Sequence, residues 1–218
     1  MSKLKFSCTN VITLVESMIE NLSYFDVIKA TLTTGHKQNL IITGENATGK
    51  SFIRRLVYLV CKQEKVELIH LSQQGRSTSG IPSALIYGDE SYDSTGYNTS
   101  TTITCGITTC NNRDSDHFIL WDEPDIGLSE KYAAGVGVAI RGFVENIPKH
   151  TRGSIVITHS KPLVRQLLPI GPSHLRLGDT MTLNDWLNET PEPGDLNELS
   201  ERNHAMYHAI NKIIKDKS

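Results

Sequence analysis

The chain has 218 residues, of which 38% are hydrophobic and 21% charged, and a formal net charge of −2. That size fits one large domain, or a domain with a small appendage, and supplies enough apolar side chains for a packed core. The near-neutral balance gives no global bias toward nucleic acid or an anionic membrane, although it permits a local basic patch.

No apolar run approaches the roughly 20 residues needed to cross a bilayer. The start, Met1 to Phe6, lacks the apolar core of a secretory signal. The four cysteines, Cys8, Cys61, Cys105 and Cys110, show no Cys-x-x-Cys spacing. They read as reduced thiols, which points to a cytoplasmic protein, and the short apolar runs to one that does not itself enter the membrane.

In chain order, residues 9–22 read as a helix with Val11, Leu14, Val15, Met18, Ile19 and Leu22 on one face. A second helical segment, Tyr24 to Leu32, precedes a turn at Thr34-Gly35-His36. Asn39 to Thr43 is an apolar run of strand length. Phe52, Ile53, Leu56, Val57 and Val60 then recur at helical spacing up to about Lys62. Val66 to Leu71 is the next strand. Ser72 to Pro82 and Gly88 to Asn98 read as polar loops around a short apolar segment, and a Thr-rich helix follows, ending near Cys110.

Phe118 to Trp121 is a buried strand. Ser129 is placed to cap a helix from Glu130 to about Ile147. Ser154 to Thr158 is a further strand, and Pro162 sits in the first turn of the helix after it. Ser173 to Leu177 is a last strand and Leu183 to Asn188 a short helix. A Pro-rich break at 190–194 precedes a terminal helix from Leu196 to Ile214. Strands that alternate with helices imply an α/β fold with a mostly parallel sheet covered on both faces. The expected organisation is one domain over 1–190, with a short insertion at about 72–112, and a helical appendage over 191–218.

Three stretches carry chemistry. Gly44-Glu45-Asn46-Ala47-Thr48-Gly49-Lys50-Ser51 fits G-x-x-x-x-G-K-[ST] at every fixed position, between a strand and a helix. Glycines let the backbone curl until several N–H groups point at one anion, and the helix start adds its positive dipole end. Lys50 supplies a charge to the β- and γ-phosphates and Ser51 a hydroxyl to Mg²⁺.

The second stretch, Phe118 to Pro124, is an apolar strand ending in two carboxylates, Asp122 and Glu123. Strand ends of open α/β sheets are where ligands bind. One carboxylate suits Mg²⁺ and the other suits the activation of water. The third stretch ends Ile157-Thr158-His159-Ser160. An imidazole at the same sheet edge can donate a hydrogen bond to a γ-phosphate.

Taken together and in order, Lys50 with Ser51, Asp122-Glu123-Pro124 and His159 resemble the nucleotide-binding domain of the ABC-type ATPase superfamily. The resemblance covers about residues 39–160. Asp122-Glu123-Pro124 is similar to that family's Walker B end, Gly127-Leu128-Ser129-Glu130 to its D-loop with Glu130 in place of the usual aspartate, and His159 to its switch histidine. The wording of the phosphate loop resembles the branch of chromosome-maintenance and DNA-repair ATPases.

The family's serine-bearing signature is best matched by Asp93-Ser94-Thr95-Gly96-Tyr97, with Thr99-Ser100 as the rival; no Leu-Ser-Gly-Gly-Gln occurs. Its Q-loop glutamine, a metal ligand, would be Gln74 or Gln73. The stretch between Lys50 and Ser94 is too short for a long coiled coil and leaves little room for a transporter-docking lobe.

The resemblance therefore implies a P-loop NTPase three-layer fold and a soluble ATP hydrolase acting as a head-to-tail dimer. Lys50, Glu123 and His159 would be catalytic. Ser51, Asp122 and Gln74 would hold Mg²⁺. Ser94, Thr95 and Gly96 would act on the partner copy's ATP. The effector is open among DNA, RNA and protein. The alternatives are a transporter's ATPase subunit, a low-turnover nucleotide switch that regulates a partner protein, and a P-loop kinase.

Weaker signals remain. Tyr24 or Phe25 is placed to stack on adenine or to pack in the core. His204 and His208 share a helix face without a third ligand. Lys149, His150 and Arg152 form a small basic turn.

Overall fold

In a computed structural model of the chain, residues 6–21, 25, 28–72 and 95–216 are described. The described elements are α1 (Val11–Asn21), β1 (Thr31–Thr33), β2 (His36–Gly44), α2 (Lys50–Gln63), β3 (Glu67–Ser72), α3 (Thr95–Asn111), β4 (His117–Asp122), α4 (Glu130–Glu145), β5 (Thr151–Ile157), α5 (Lys161–Leu167), a 3-10 turn (Leu168–Ile170), β6 (Pro172–Leu177), α6 (Leu183–Asn188) and α7 (Leu196–Asp216).

The strands form one six-stranded sheet in the order β1-β6-β2-β5-β4-β3. Every pairing is parallel except that of β1 with β6. The alternation of side chains along each strand sorts the core into two layers. Leu40 and Ile42 of β2, Phe118 and Leu120 of β4, Ile155 and Ile157 of β5, and Leu175 and Leu177 of β6 meet Val11, Leu14 and Met18 of α1 and Ile53, Val57 and Val60 of α2. Ile41, Ile119, Trp121 and Val156 face the other way, toward Ile103 of α3, Ile140 and Phe143 of α4, Val164 of α5 and Trp186 of α6. Both faces are dry, so the central strands read as unbroken apolar runs.

Two boundaries differ from expectation. The helix expected up to Leu32 gives way to a turn at Ile28–Lys29 and the short strand β1, because Thr31–Thr33 pairs with His174–Arg176 at the sheet edge. The α3 helix starts at Thr95, inside the stretch read as a polar loop. Its threonine hydroxyls are satisfied inside the helix by donating to the carbonyl four residues earlier, as Thr102 does to Asn98 and Thr109 to Cys105. In the basic turn, Arg152 pairs with Asp116 and donates to the Cys8 carbonyl, which ties the N-terminal segment to β5.

The α4 and α5 helices pack so closely that a side chain at Gly137 would place its Cβ 2.4 Å from the Leu163 carbonyl oxygen. At Gly135, on the same helix, the corresponding space is open. Gly137→Ala is expected to destabilise the fold by about 1–3 kcal/mol, since backbone must shift to admit the methyl. Gly135→Ala is expected to leave stability unchanged or raise it by up to about 1 kcal/mol. Urea unfolding of the two variants side by side checks the contrast.

Candidate functional site

The loop between β2 and α2 is built by two left-handed residues, Ala47 at φ 62° and Gly49 at φ 98°. They curl the chain back over the strand end. Thr48 Oγ1 donates to the Glu45 carbonyl at 2.8 Å, closing the turn. A Cβ on Gly44 would lie 2.5 Å from Thr48 Oγ1 and 2.9 Å from the Leu177 carbonyl, so only glycine lets the loop sit this close to β6.

The amides of Phe52 and Ile53 both donate to the Gly49 carbonyl, at 2.9 and 3.0 Å, which sets the helix start at Lys50. No side chain caps that first turn, so the positive end of the helix dipole faces the loop. Lys50 Nζ donates to the carbonyls of Gly44, at 2.5 Å, and Glu45, at 3.0 Å. Burial holds the Lys50 pKa below the ordinary lysine value, while the carboxylates of Glu123 and Glu45 oppose that shift.

Asp122 is the last residue of β4. Its Oδ2 accepts from Arg54 Nη1 at 2.7 Å and lies 3.6 Å from His70 Nε2, too far for a hydrogen bond. Burial works against the Asp122 charge, but His70 and Arg54 outweigh it and hold the carboxyl below its usual value of 3.8. Arg54 stands one helical turn after Lys50, so α2 presents both cations to the same sheet edge.

Glu123 follows in a left-handed conformation, φ 50°, that costs a non-glycine residue roughly 1–3 kcal/mol. Its amide donates to the Ile157 carbonyl at 2.8 Å, which extends the β4–β5 pairing by one bond. The Glu123 carboxylate reaches His159, with Oε1 3.4 Å from Nδ1. On the other side of β5, the Thr158 amide donates to the Ile42 carbonyl at 3.2 Å. Thr158 Oγ1 in turn donates to Asp125, which ties the turn after β4 to the end of β5.

A cavity of about 410 Å³ lies over the loop. Residues 45–52 form its floor and Glu123 one wall. Arg55 and three residues of α7 (Asn203, Met206 and Tyr207) close the rest. Of the residues singled out in the sequence, Glu45, Asn46, Ala47, Thr48, Gly49, Lys50, Ser51 and Glu123 share this cavity. His159 joins them through Glu123, and Asp122 stands beside it, engaged by Arg54. A larger cavity, about 560 Å³, runs between α3 and α4 past Gly96, Tyr97, Ser100 and Tyr132. Among the described residues, no charged side chain lines it, so it lacks the cation that the loop cavity has in Lys50.

Ser94, Gln73, Gln74 and Tyr24 lie outside the described residues, while Thr95 and Gly96 open α3. For the rival signature pair, the capping role is corrected. Thr99 and Ser100 lie within α3, so neither can cap its N-terminus, and Thr99 is buried. Phe25 is a core residue at 3% exposure and takes no part in the site. Arg113, an arginine that a P-loop kinase could have used, pairs instead with Glu67 at the opposite ends of the strands.

Sequence reasoning missed Arg54, although its spacing from Lys50 was a usable signal. It also missed Asn203, Met206 and Tyr207, which no local pattern connects to the loop. Among the described residues, no three His, Cys, Asp or Glu side chains form a metal cluster. The available donors are the exposed Ser51 hydroxyl and the Asp122 carboxylate. That sparse set suits a Mg²⁺ that arrives with phosphates better than a resident ion.

Beneath the loop lies a buried polar group. Arg176 makes two hydrogen bonds to Asp179, at 2.8 and 2.6 Å, and His174 Nε2 lies 2.7 Å from Thr43 Oγ1. Burial, helped by the Arg176 charge, pushes the His174 pKa down from 6.5 to about 4.

Two outcomes follow from these charges. Arg54→Met is expected to cost about 1–3 kcal/mol at pH 7, because it leaves a largely buried carboxylate without its cation. That cost is expected to shrink as pH falls below 3.8 and Asp122 takes up a proton; urea unfolding at pH 7 and pH 3 measures the difference. His174 is neutral in both folded and unfolded chains above pH 6.5, but between 6.5 and about 4 only the unfolded chain binds the proton. Stability is therefore expected to decline through that window as pH falls. His174→Gln should flatten the slope without abolishing it, since burial also lowers the His117 pKa.

Compared with protein-family models, curated proteins and solved structures, the chain matches none of them, so what the loop binds has to be argued from its own atoms.

Proposed function

We propose that this protein binds MgATP at the loop over residues 44–51 and hydrolyses it, as an ATPase of the ABC type with a P-loop three-layer fold. The observation that carries the reading is the single cavity in which Lys50, Ser51 and the start of α2 face Glu123, itself backed by His159. Free amides at a helix start and one ammonium are the physical requirements for a polyphosphate tail.

Glu123 is the group suited to orient and deprotonate an attacking water, because its strained backbone turns its carboxylate into the cavity rather than along the strand. His159, 57% exposed and in contact with Glu123, is placed to respond to a γ-phosphate. Magnesium bound with the nucleotide would neutralise phosphate charge. Ser51 and Asp122 are the chain's own donors for it, and Arg54 would have to yield part of its hold on Asp122.

The head-to-tail dimer belongs to the same proposal. Its signature serine would be Ser94, just before α3. The effector, whether nucleic acid or protein, is part of what the cycle would act on. Among the described residues, no helix is long and apolar enough to cross a membrane.

The Arg54–Asp122 ion pair favours one second reading, a nucleotide switch with low turnover, because a carboxylate already neutralised by arginine is a weak metal ligand.

Lys50→Ala is expected to abolish measurable ATP binding. Glu123→Gln is expected to keep binding, to slow hydrolysis by about 10²–10⁴-fold and to accumulate as a dimer with ATP and Mg²⁺. Calorimetry, phosphate release and light scattering report the three effects. Full turnover in Glu123→Gln removes this residue as the base. Turnover in the unmodified protein no faster than in Glu123→Gln selects the switch.

A further inference from the structure

The far wall of the loop cavity is supplied by the C-terminal helix rather than by the N-terminal part of the chain. Asn203, Met206 and Tyr207 fall at i, i+3 and i+4 on α7, so they share one face, and all three line the cavity. Met206 is partly buried and packs on the same core layer as Phe52 of α2, which docks α7 beside the phosphate loop. One turn earlier, Leu199 and Arg202 line a second cleft with Glu45 and Asn46 of the same loop. The helix therefore lies along the loop over more than one turn.

Next to the Met206 anchor, Tyr207 lines the cavity and stays 64% exposed. The two ends of the cavity thus differ in kind. One end offers amides and Lys50. The other offers an aromatic face, a thioether and the carboxamide of Asn203, which has donor and acceptor side by side. Phe25 is locked in the core and does not serve this role.

We infer that α7 forms a nucleobase subsite: Tyr207 stacks on the base of a nucleoside triphosphate and Asn203 reads its hydrogen-bonding edge, so the cavity selects a nucleotide over an inorganic polyphosphate. An aromatic face suits any base, whereas a side-chain carboxamide pairs with the N6/N7 edge of adenine in particular. The volume of about 410 Å³ is within the range of small-ligand sites. The inference rests on the reading of the loop as a phosphate site.

The test uses the full chain and two ligands with Mg²⁺, ATP and inorganic tripolyphosphate, titrated calorimetrically. Tyr207→Ala is expected to weaken ATP about tenfold, equivalent to ~1.4 kcal/mol, and to leave tripolyphosphate unchanged. Tyr207→Phe should restore ATP affinity, and Tyr207→Leu, which keeps bulk without the ring, should not. Circular dichroism confirms that each variant is folded.

If Lys50→Ala loses ATP while Tyr207→Ala and Tyr207→Leu bind it as well as the unmodified chain, the base subsite is overturned and the phosphate loop stands. Equal weakening of both ligands in Tyr207→Ala overturns the subsite as well, because the ring would then be holding the loop rather than the base. Failure of the unmodified chain to bind either ligand overturns the phosphate loop and the subsite together.

Discussion

At its C-terminal end, β5 bonds with both neighbours. The Thr158 amide reaches Ile42 of β2, and the Ile157 carbonyl receives the Glu123 amide beyond the end of β4. These two bonds tie three strand ends to one another. The loop after β2, the acidic turn after β4 and the histidine after β5 therefore cannot move independently. Everything proposed for the site depends on that constraint, since each of its groups comes from a different strand end. Their relative positions are inherited from sheet register, which the apolar layers on either side hold firmly.

Within that frame the charges are arranged in two pairs. Lys50 faces the loop carbonyls and Glu123, and Arg54 faces Asp122. Both cations come from α2, one turn apart, and both anions from adjacent residues of one chain segment. The reversal at Glu123 makes this possible. In extended backbone, Asp122 and Glu123 would point to opposite faces of the sheet. The left-handed turn at Glu123 breaks that alternation and brings its carboxylate to the cavity. Strain at that position is stored where the proposed chemistry needs direction, and the added sheet bond to Ile157 helps to hold it.

The C-terminal helix changes how the molecule is divided. A terminal helix after a Pro-rich break reads as an appendage, yet Met206 is seated on the main core and α7 shares a cavity with the loop. The site is thereby framed by residues from positions 45 to 207. Its apolar and aromatic end sits on an element that Met206, among the described residues, anchors to the core beside these clefts.

Much of this was legible in the chain. The strand–loop–helix unit around Gly44–Ser51 follows from local pattern: an apolar run, glycines at fixed spacing, then apolar residues at helical period. The strand ending at Asp122, the strand before His159 and the helix opened by Pro162 follow in the same way, because each is dictated by neighbours a few residues apart. The start of α3 was not legible, since threonine has poor helix propensity and its back-bonding to carbonyls becomes visible only once the helix exists. The pairing of β1 was hidden for a different reason: a three-residue strand is created by its partner. Sequence by itself determined which side chains are available to hold an anion and activate water. Only the tertiary structure decided that Asp122 is neutralised by Arg54, that Phe25 is sealed in the core and that Tyr207 stands at the mouth of the loop. Those outcomes depend on contacts between residues far apart in the chain, and the backbone path that joins them is set by packing of the whole sheet rather than by any local preference.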